Sequence, residues 1–287
     1  MTENALEIKD LTKQYPSFLL DHISFSIPKG CIMGLIGENG AGKTTAIKAM
    51  LNLIERDEGT VTILGMDAGR DDQAIKEQVG VVFDDSHFHG NLTPLEIGAV
   101  LRRIYKGWDQ DLYLRTLKAF AVPHNKKVSE ISKGMSRKLS IAAAMAHHPR
   151  MLILDEATTG LDPVVREEIL DIFQDFIQDE EHAVLLSSHI TSDLDKIADY
   201  VTFLHEGKVL LSREKDRLLE SMGVLRCGRE DLAKVPKEYV VKVRDHQFGW
   251  EALVQNRREL GLLRPGLILD PASLEDIMLF HIRGRNL

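Results

Sequence analysis

Apolar residues recur along the chain in two rhythms. Short continuous runs at 31–36 (CIMGLI), 79–83 (VGVVF), 151–154 (MLIL) and 183–188 (AVLLSS) have the length of strands buried on both faces. Alternating stretches at 6–8, 22–27 and 200–212 suit strands with one face toward water, and the last turns at Glu206-Gly207 as a hairpin. Pro28-Lys29-Gly30 and the segment 157–163 mark turns, and 55–65 reads as a turn into a short strand. Spacings of three and four residues predict helices over 45–54, from Thr93-Pro94 to about residue 120, and from Ser132 through 139–146. Two more are predicted from Pro163 to about 178 and over 192–198. Buried runs alternating with helices predict an α/β fold: a mostly parallel core sheet, with antiparallel strands at its N-terminal side.

The rhythm changes twice. From Asp84 a polar loop leads into mainly helical residues, which form a helical insertion at about 84–146. Beyond residue 213 come a helix at 214–222 that Gly223 ends, strands at 239–243, 250–254 and 267–269, and a Ser273-capped helix at 273–282. The organisation expected is therefore a main domain over 1–213 and a small α+β accessory domain over 214–287. That appendage lies near the lower size limit for independent folding and carries no constellation that suggests a site.

A hydrophobic content of 44% and a charged content of 28% are ordinary for a globular chain. The net charge of −8 argues against nucleic acid or an anionic membrane surface as a general partner. Two cysteines, Cys31 and Cys227, without metal-like spacing suit a reducing compartment. No signal segment opens the chain and no apolar run reaches spanning length, so we expect a cytosolic protein whose membrane part, if any, another chain supplies.

The chemistry concentrates at Gly37–Thr45, GENGAGKTT, which fits GxxxxGK[ST] between a predicted strand and a predicted helix. Glycines at 37, 40 and 42 let the backbone curl with its N–H groups inward, a cradle for polyphosphate at a helix N-terminus. Lys43 supplies charge to the outer phosphates, and the Thr44 hydroxyl can ligate Mg²⁺. This segment predicts nucleoside triphosphate binding. Asp155 and Glu156 end the run at 151–154, where a parallel sheet presents its ligands. Asp155 would hold Mg²⁺ through water and Glu156 would orient or deprotonate the attacking water. His189 ends the run at 183–188 and can bond the γ-phosphate. Tyr15, upstream of the loop, suits stacking on adenine or packing at a strand edge. Ser132 and Gly134 at a helix start can grip a phosphate or form an ordinary cap. His87 and His89, beside two aspartates, offer a metal-like cluster, against which stands a polar loop without further ligands.

Together these motifs resemble the ATP-binding cassette family over Leu6 to about Ser212. Tyr15 matches its adenine-stacking aromatic. Gly37, Glu38, Asn39, Gly40, Ala41, Gly42, Lys43, Thr44 and Thr45 match its phosphate loop. LILDE matches its second acidic motif with the catalytic Glu156, and ISKGM its signature. TGLDP, with Asp162, matches its D-loop, and Ser188-His189 its switch histidine. The resemblance implies ATP and Mg²⁺ as ligands and two cassettes sandwiching two ATPs. Ser132 and Gly134 of one subunit would then reach the γ-phosphate held by a second ABC subunit. It also implies that the helical insertion docks on a transmembrane permease subunit, placing the chain at the inner, cytoplasmic face of a cell membrane.

Two departures matter. The usual LSGGQ signature reads Ile131-Ser132-Lys133-Gly134-Met135, which alters the residues around the phosphate contact. Where the family places a glutamine after the strand ending at Phe83, this chain has Asp84. A carboxylate suits Mg²⁺, so Asp84 is expected to serve the metal, against the alternatives that Asp85 does so or that Asp84 faces solvent. The SKGM signature, Asp84, the YKGWD segment and the C-terminal extension resemble exporters of antimicrobial or amphipathic peptides. A soluble cassette ATPase acting on ribosomes or DNA is the alternative; it would carry two cassettes or a long coiled-coil insertion. A binding module without turnover is a third reading, opposed by Glu156 and His189.

Overall fold

The structure is a computed structural model that describes residues 3–84, 88–228, 232–233, 235–246 and 249–287. Two long antiparallel strands open it, β1 (Asn4–Tyr15) and β2 (Phe18–Pro28), both longer than the alternating stretches at 6–8 and 22–27 indicate. Register shifts between Ile8 and Leu11, and again between Leu11 and Lys13, explain the difference. Each bulge resets which face a side chain takes, so alternation breaks while pairing continues. Beside β1 run β4 (Glu58–Ile63) and β5 (Met66–Asp67), giving an antiparallel sheet ordered β2-β1-β4-β5.

The main sheet has the order β10-β9-β3-β8-β7-β6. Its strands are β3 (Cys31–Ile36), β6 (Val79–Val82), β7 (Met151–Asp155), β8 (Ala183–Ser188), β9 (Tyr200–His205) and β10 (Lys208–Glu214). All pair in parallel except β10, which returns antiparallel to β9 through the hairpin the sequence predicts. Alternate side chains of the buried strands serve two layers. Met33, Leu35, Met151, Ile153 and Leu185 join the N-terminal strands and helix α1 (Lys43–Met50). Ile32, Leu152, Leu154, Val184 and Leu186 pack instead against α6 (Pro163–Phe176) and α7 (Thr191–Ile197). The registers Ile36↔Ser188 and Asp155↔Ser187 bring the carboxyl ends of β3, β7 and β8 level with one another.

A short helix, α2 (Asp72–Lys76), precedes β6, and the insertion follows it. The periodic stretch expected to run to about residue 120 is two helices, α3 (Pro94–Ile104) and α4 (Gln110–Ala119). Thr93 and Glu96 cap α3 reciprocally, and the Asp109 carboxylate accepts the Leu112 N–H at 2.8 Å to start α4. The fully buried Tyr113 donates its hydroxyl to the Pro94 carbonyl at 2.9 Å, fastening the pair. Both pack with α5 (Lys133–Met145) around Ile97, Leu117, Leu139 and Ala142.

After α8 (Lys215–Ser221), Gly223 begins a strand instead of only ending a helix. That strand, β11 (Gly223–Cys227), lies in an antiparallel sheet ordered β12-β13-β11-β14 with β12 (Val240–His246), β13 (Gly249–Val254) and β14 (Leu269–Pro271). The edge strand begins two residues later than the stretch at 267–269 predicts, and the helix Arg257–Leu263 is not predicted at all. Leu274, Ile277 and Phe280 of the closing helix Leu274–Arg283 share one buried cluster with Leu194 and Ile197 of α7. The appendage is thus packed on the main domain, while Leu225, Val243, Ala252 and Leu260 form a second cluster of its own. Among the described residues no helix is long and apolar enough to cross a membrane.

Candidate active site at the phosphate loop

The loop from Gly37 to Gly42 joins β3 to α1 at the level carboxyl ends of the sheet. Gly40 and Gly42 have φ of +86° and +107°, a region that favours residues without a Cβ. At Gly37 the constraint is space, since a Cβ there would lie 2.4 Å from the Leu204 carbonyl oxygen. The Gly207 N–H donates to the Ala41 carbonyl at 3.0 Å, so the β9–β10 hairpin braces the loop from behind. The buried Lys43 ammonium donates to the carbonyls of Gly37 at 2.7 Å and Glu38 at 3.2 Å.

The neighbouring strands supply the acids. The Thr44 hydroxyl donates to Asp155 Oδ2 at 2.7 Å, and the Ser187 hydroxyl donates to Asp155 Oδ1 at 2.6 Å. Glu156 has a left-handed backbone, φ +52°, held by its N–H contacts with the Ser187 carbonyl at 3.2 Å and hydroxyl at 3.1 Å. Its Oε1 stands 3.1 Å from Lys43 Nζ, an ion pair without hydrogen-bond alignment. Its Oε2 accepts from the Thr159 hydroxyl at 2.6 Å and lies 2.8 Å from His189 Nδ1. Burial alone would raise the Glu156 pKa, but the Thr159 hydrogen bond and the Lys43 and His189 charges outweigh it and hold the carboxyl below its ordinary range.

These groups surround a cavity of about 390 Å³ whose walls include Glu38, Asn39, Gly40, Gly42, Lys43, Thr44 and Thr45, with Phe18, Asp84 and Glu156 completing them. The site accordingly gathers most of the sequence-predicted residues. Asp155 and His189 join through their bonds to Thr44 and Glu156. Tyr15 is not on the wall; the residue is 40% exposed, with Lys13 Nζ 5.7 Å from the centre of its ring. Ser132, Gly134 and Asp162 also lie off this cavity. Ser132 caps α5, accepting the Met135 N–H at 3.2 Å, and Asp162 caps α6, accepting the Val165 N–H at 3.1 Å. His87 and Asp85 lie outside the described residues, and no group of three or more potential metal-binding side chains occurs among those described.

Asp84 stands on the cavity wall with its carboxylate 3.1 Å from the Arg137 guanidinium. Arg137, buried on α5, also donates to the carbonyls of Phe83 and Asp84. Arg137, Phe18 and Ser187 stand in no motif of the sequence, and Thr159 stands there only as the first residue of TGLDP. Phe18 packs so closely on the loop that a Cβ at Gly42 would fall 2.7 Å from its ring. Ser187 left a trace as one of two hydroxyls that end the otherwise apolar run at 183–188.

A glycine loop closing on a buried lysine, with a strand-end carboxylate bonded to the next threonine, defines a P-loop nucleoside-triphosphate-binding domain. The comparisons narrow that class. The chain matches the ABC transporter family over residues 20–159. It is 35% identical over 211 residues to the bacitracin transport ATP-binding protein BcrA of Enterococcus faecalis, covering 72% of this chain and 68% of that protein. It is 32% identical over 214 residues to the lantibiotic transport ATP-binding protein SrtF of Streptococcus pyogenes, covering 74% of this chain and 91% of that protein. The solved structure of an ATP-binding subunit of an ABC transporter superposes with a TM-score of 0.68 at 27% identity, covering 75% of this chain and 92% of that one. The chain belongs to the ABC transporter family, as one of its ATPases.

Proposed function

We propose that this chain hydrolyses ATP to drive export of peptide antibiotics through a separate membrane permease. The observation that carries the catalytic part is the meeting of Lys43, the Thr44–Asp155 pair and Glu156 in one cavity at three level strand ends. The loop N–H groups and Lys43 bind the β- and γ-phosphates. Glu156, ionised at neutral pH, accepts a proton from the attacking water as the terminal P–O bond breaks. His189 reaches the γ-phosphate from the end of β8. The Thr44 hydroxyl and Asp155 carboxylate are hard oxygen donors set together, which suits Mg²⁺; Asp84 would assist from the facing wall, with Arg137 engaging one of its two oxygens. That ion supplies charge neutralisation on the phosphate oxygens.

The partners follow from what lies outside the cavity. Ser132, exposed at the start of α5, and Asp162, exposed at the start of α6, suit a second cassette whose bound ATP they would reach. Val100 and Ile104, four residues apart on α3, are both exposed, an apolar patch for a permease at the inner side of the membrane. Peptide antibiotics are assigned from the relatives' transport of bacitracin and lantibiotics. The net charge of −8 gives nucleic acid no general attraction. Phosphate release by the purified chain, and its copurification with a membrane protein encoded beside it, test the two halves. A chain that binds ATP but releases no phosphate, alone or with that protein, overturns the first. Recovery without any membrane partner overturns the second.

A further inference from the structure

Glu156 can act as a base only if one carboxylate oxygen is presented to the nucleotide and kept there. Its backbone is fixed by Ser187, but the torsion turning the carboxylate is not. Oε2 takes two partners, Thr159 at 2.6 Å and His189 at 2.8 Å, while Oε1 is turned toward Lys43. The two partners of Oε2 are not equivalent. His189 has a side chain 38% exposed, and when it turns to a γ-phosphate it leaves the carboxylate. Thr159 stands three residues along the same turn, closed by its own N–H to the Glu156 carbonyl at 3.2 Å, so its hydroxyl stays in place.

We propose that Thr159 is a positioning residue for Glu156: its hydroxyl pins Oε2 and thereby directs Oε1 to the water that attacks ATP. The proposal rests on Glu156 being the base.

The test compares Thr159→Val, Thr159→Ala and Thr159→Ser in the full chain by steady-state ATP hydrolysis, with thermal unfolding and binding of a fluorescent ATP analogue as checks of folding. Thr159→Val should lower kcat about tenfold with KM within about twofold. Thr159→Ala, free of any crowding by the added methyl, should do the same, and Thr159→Ser should restore kcat. Val and Ala variants that fold and keep the parent kcat overturn the proposal. So does a Ser variant as impaired as Val, since the methyl would then be what matters. A parent chain without turnover overturns the assignment of the base as well, and is recognised before any substitution is made.

Discussion

The protonation of Glu156 is decided by opposing effects within a few ångströms. Burial penalises its charge, and a hydroxyl, an ammonium and an imidazole more than offset the penalty. With its folded pKa depressed, ionised Glu156 stabilises the fold above the ordinary carboxylate range. That contribution disappears as pH falls through the lower folded value, and hydrolysis should disappear over the same window. The acid limb of kcat/KM, which reports the free enzyme, should therefore lie below the ordinary carboxylate range. A limb near neutrality would mean another group is the base. Glu156→Gln keeps shape but cannot accept the proton, so ATP binding should persist while turnover falls by about a hundredfold or more. Lys43→Ala deletes the cation facing the outer phosphates and should weaken nucleotide binding itself. At Asp84 the readout is the metal: Asp84→Ala should raise the Mg²⁺ needed for half-maximal hydrolysis and leave metal-free nucleotide binding unchanged. An unaltered Mg²⁺ dependence would leave Asp84 as an anchor for Arg137 alone.

Among the elements, α5 has two attachments. Ser132 opens it at the surface, and one turn on Arg137 reaches back to the end of β6, holding Phe83 and Asp84. Arg137→Ala would remove the guanidinium's hydrogen bonds to two carbonyl groups and one carboxylate, at a cost of about 2–3 kcal/mol. Urea unfolding should show this as a lowered midpoint, and an unchanged midpoint would mean water replaces the guanidinium without loss. No sequence rule announces such a contact, because its partners lie more than fifty residues away. What was legible at this scale was what neighbours in sequence encode. The strand, glycine loop and helix around Lys43, and the acids closing β7, appear where apolar runs end and special residues begin. The break between α3 and α4 was not legible, since Tyr105 and Trp108 continue an apolar rhythm through a turn that only Asp109, as a cap, betrays. Nor was the helix Arg257–Leu263, where Gly261 interrupts a short segment that forms through its buried Leu260.

At the scale of the whole molecule, composition and rhythm separate residues 214–287 from the rest, yet packing joins them. Phe280 is fully buried in the cluster that contains Leu194 and Ile197, so the closing helix completes a core layer of the ATPase domain. The nucleotide cavity draws none of its walls from the described residues of this segment. Stability and ligand affinity should therefore respond differently to changes there. Phe280→Ala should cost about 3–5 kcal/mol of stability, the range for emptying a well-packed aromatic site, with ATP affinity unchanged. Truncation after Ser212 is the larger version of the same experiment. It uncovers Leu194 and Ile197, so the shortened chain should unfold at lower urea and tend to associate through the exposed layer. While folded it should still bind ATP. Saturating ATP should recover roughly 2.7 kcal/mol at a hundredfold excess over Kd, in the shortened chain as in the full one. Equal stabilisation in both would confirm that the appendage supports the fold without touching the site. A folded truncation that ATP no longer stabilises would show that residues 213–287 shape the phosphate loop from a distance, through the β9–β10 hairpin that braces Ala41.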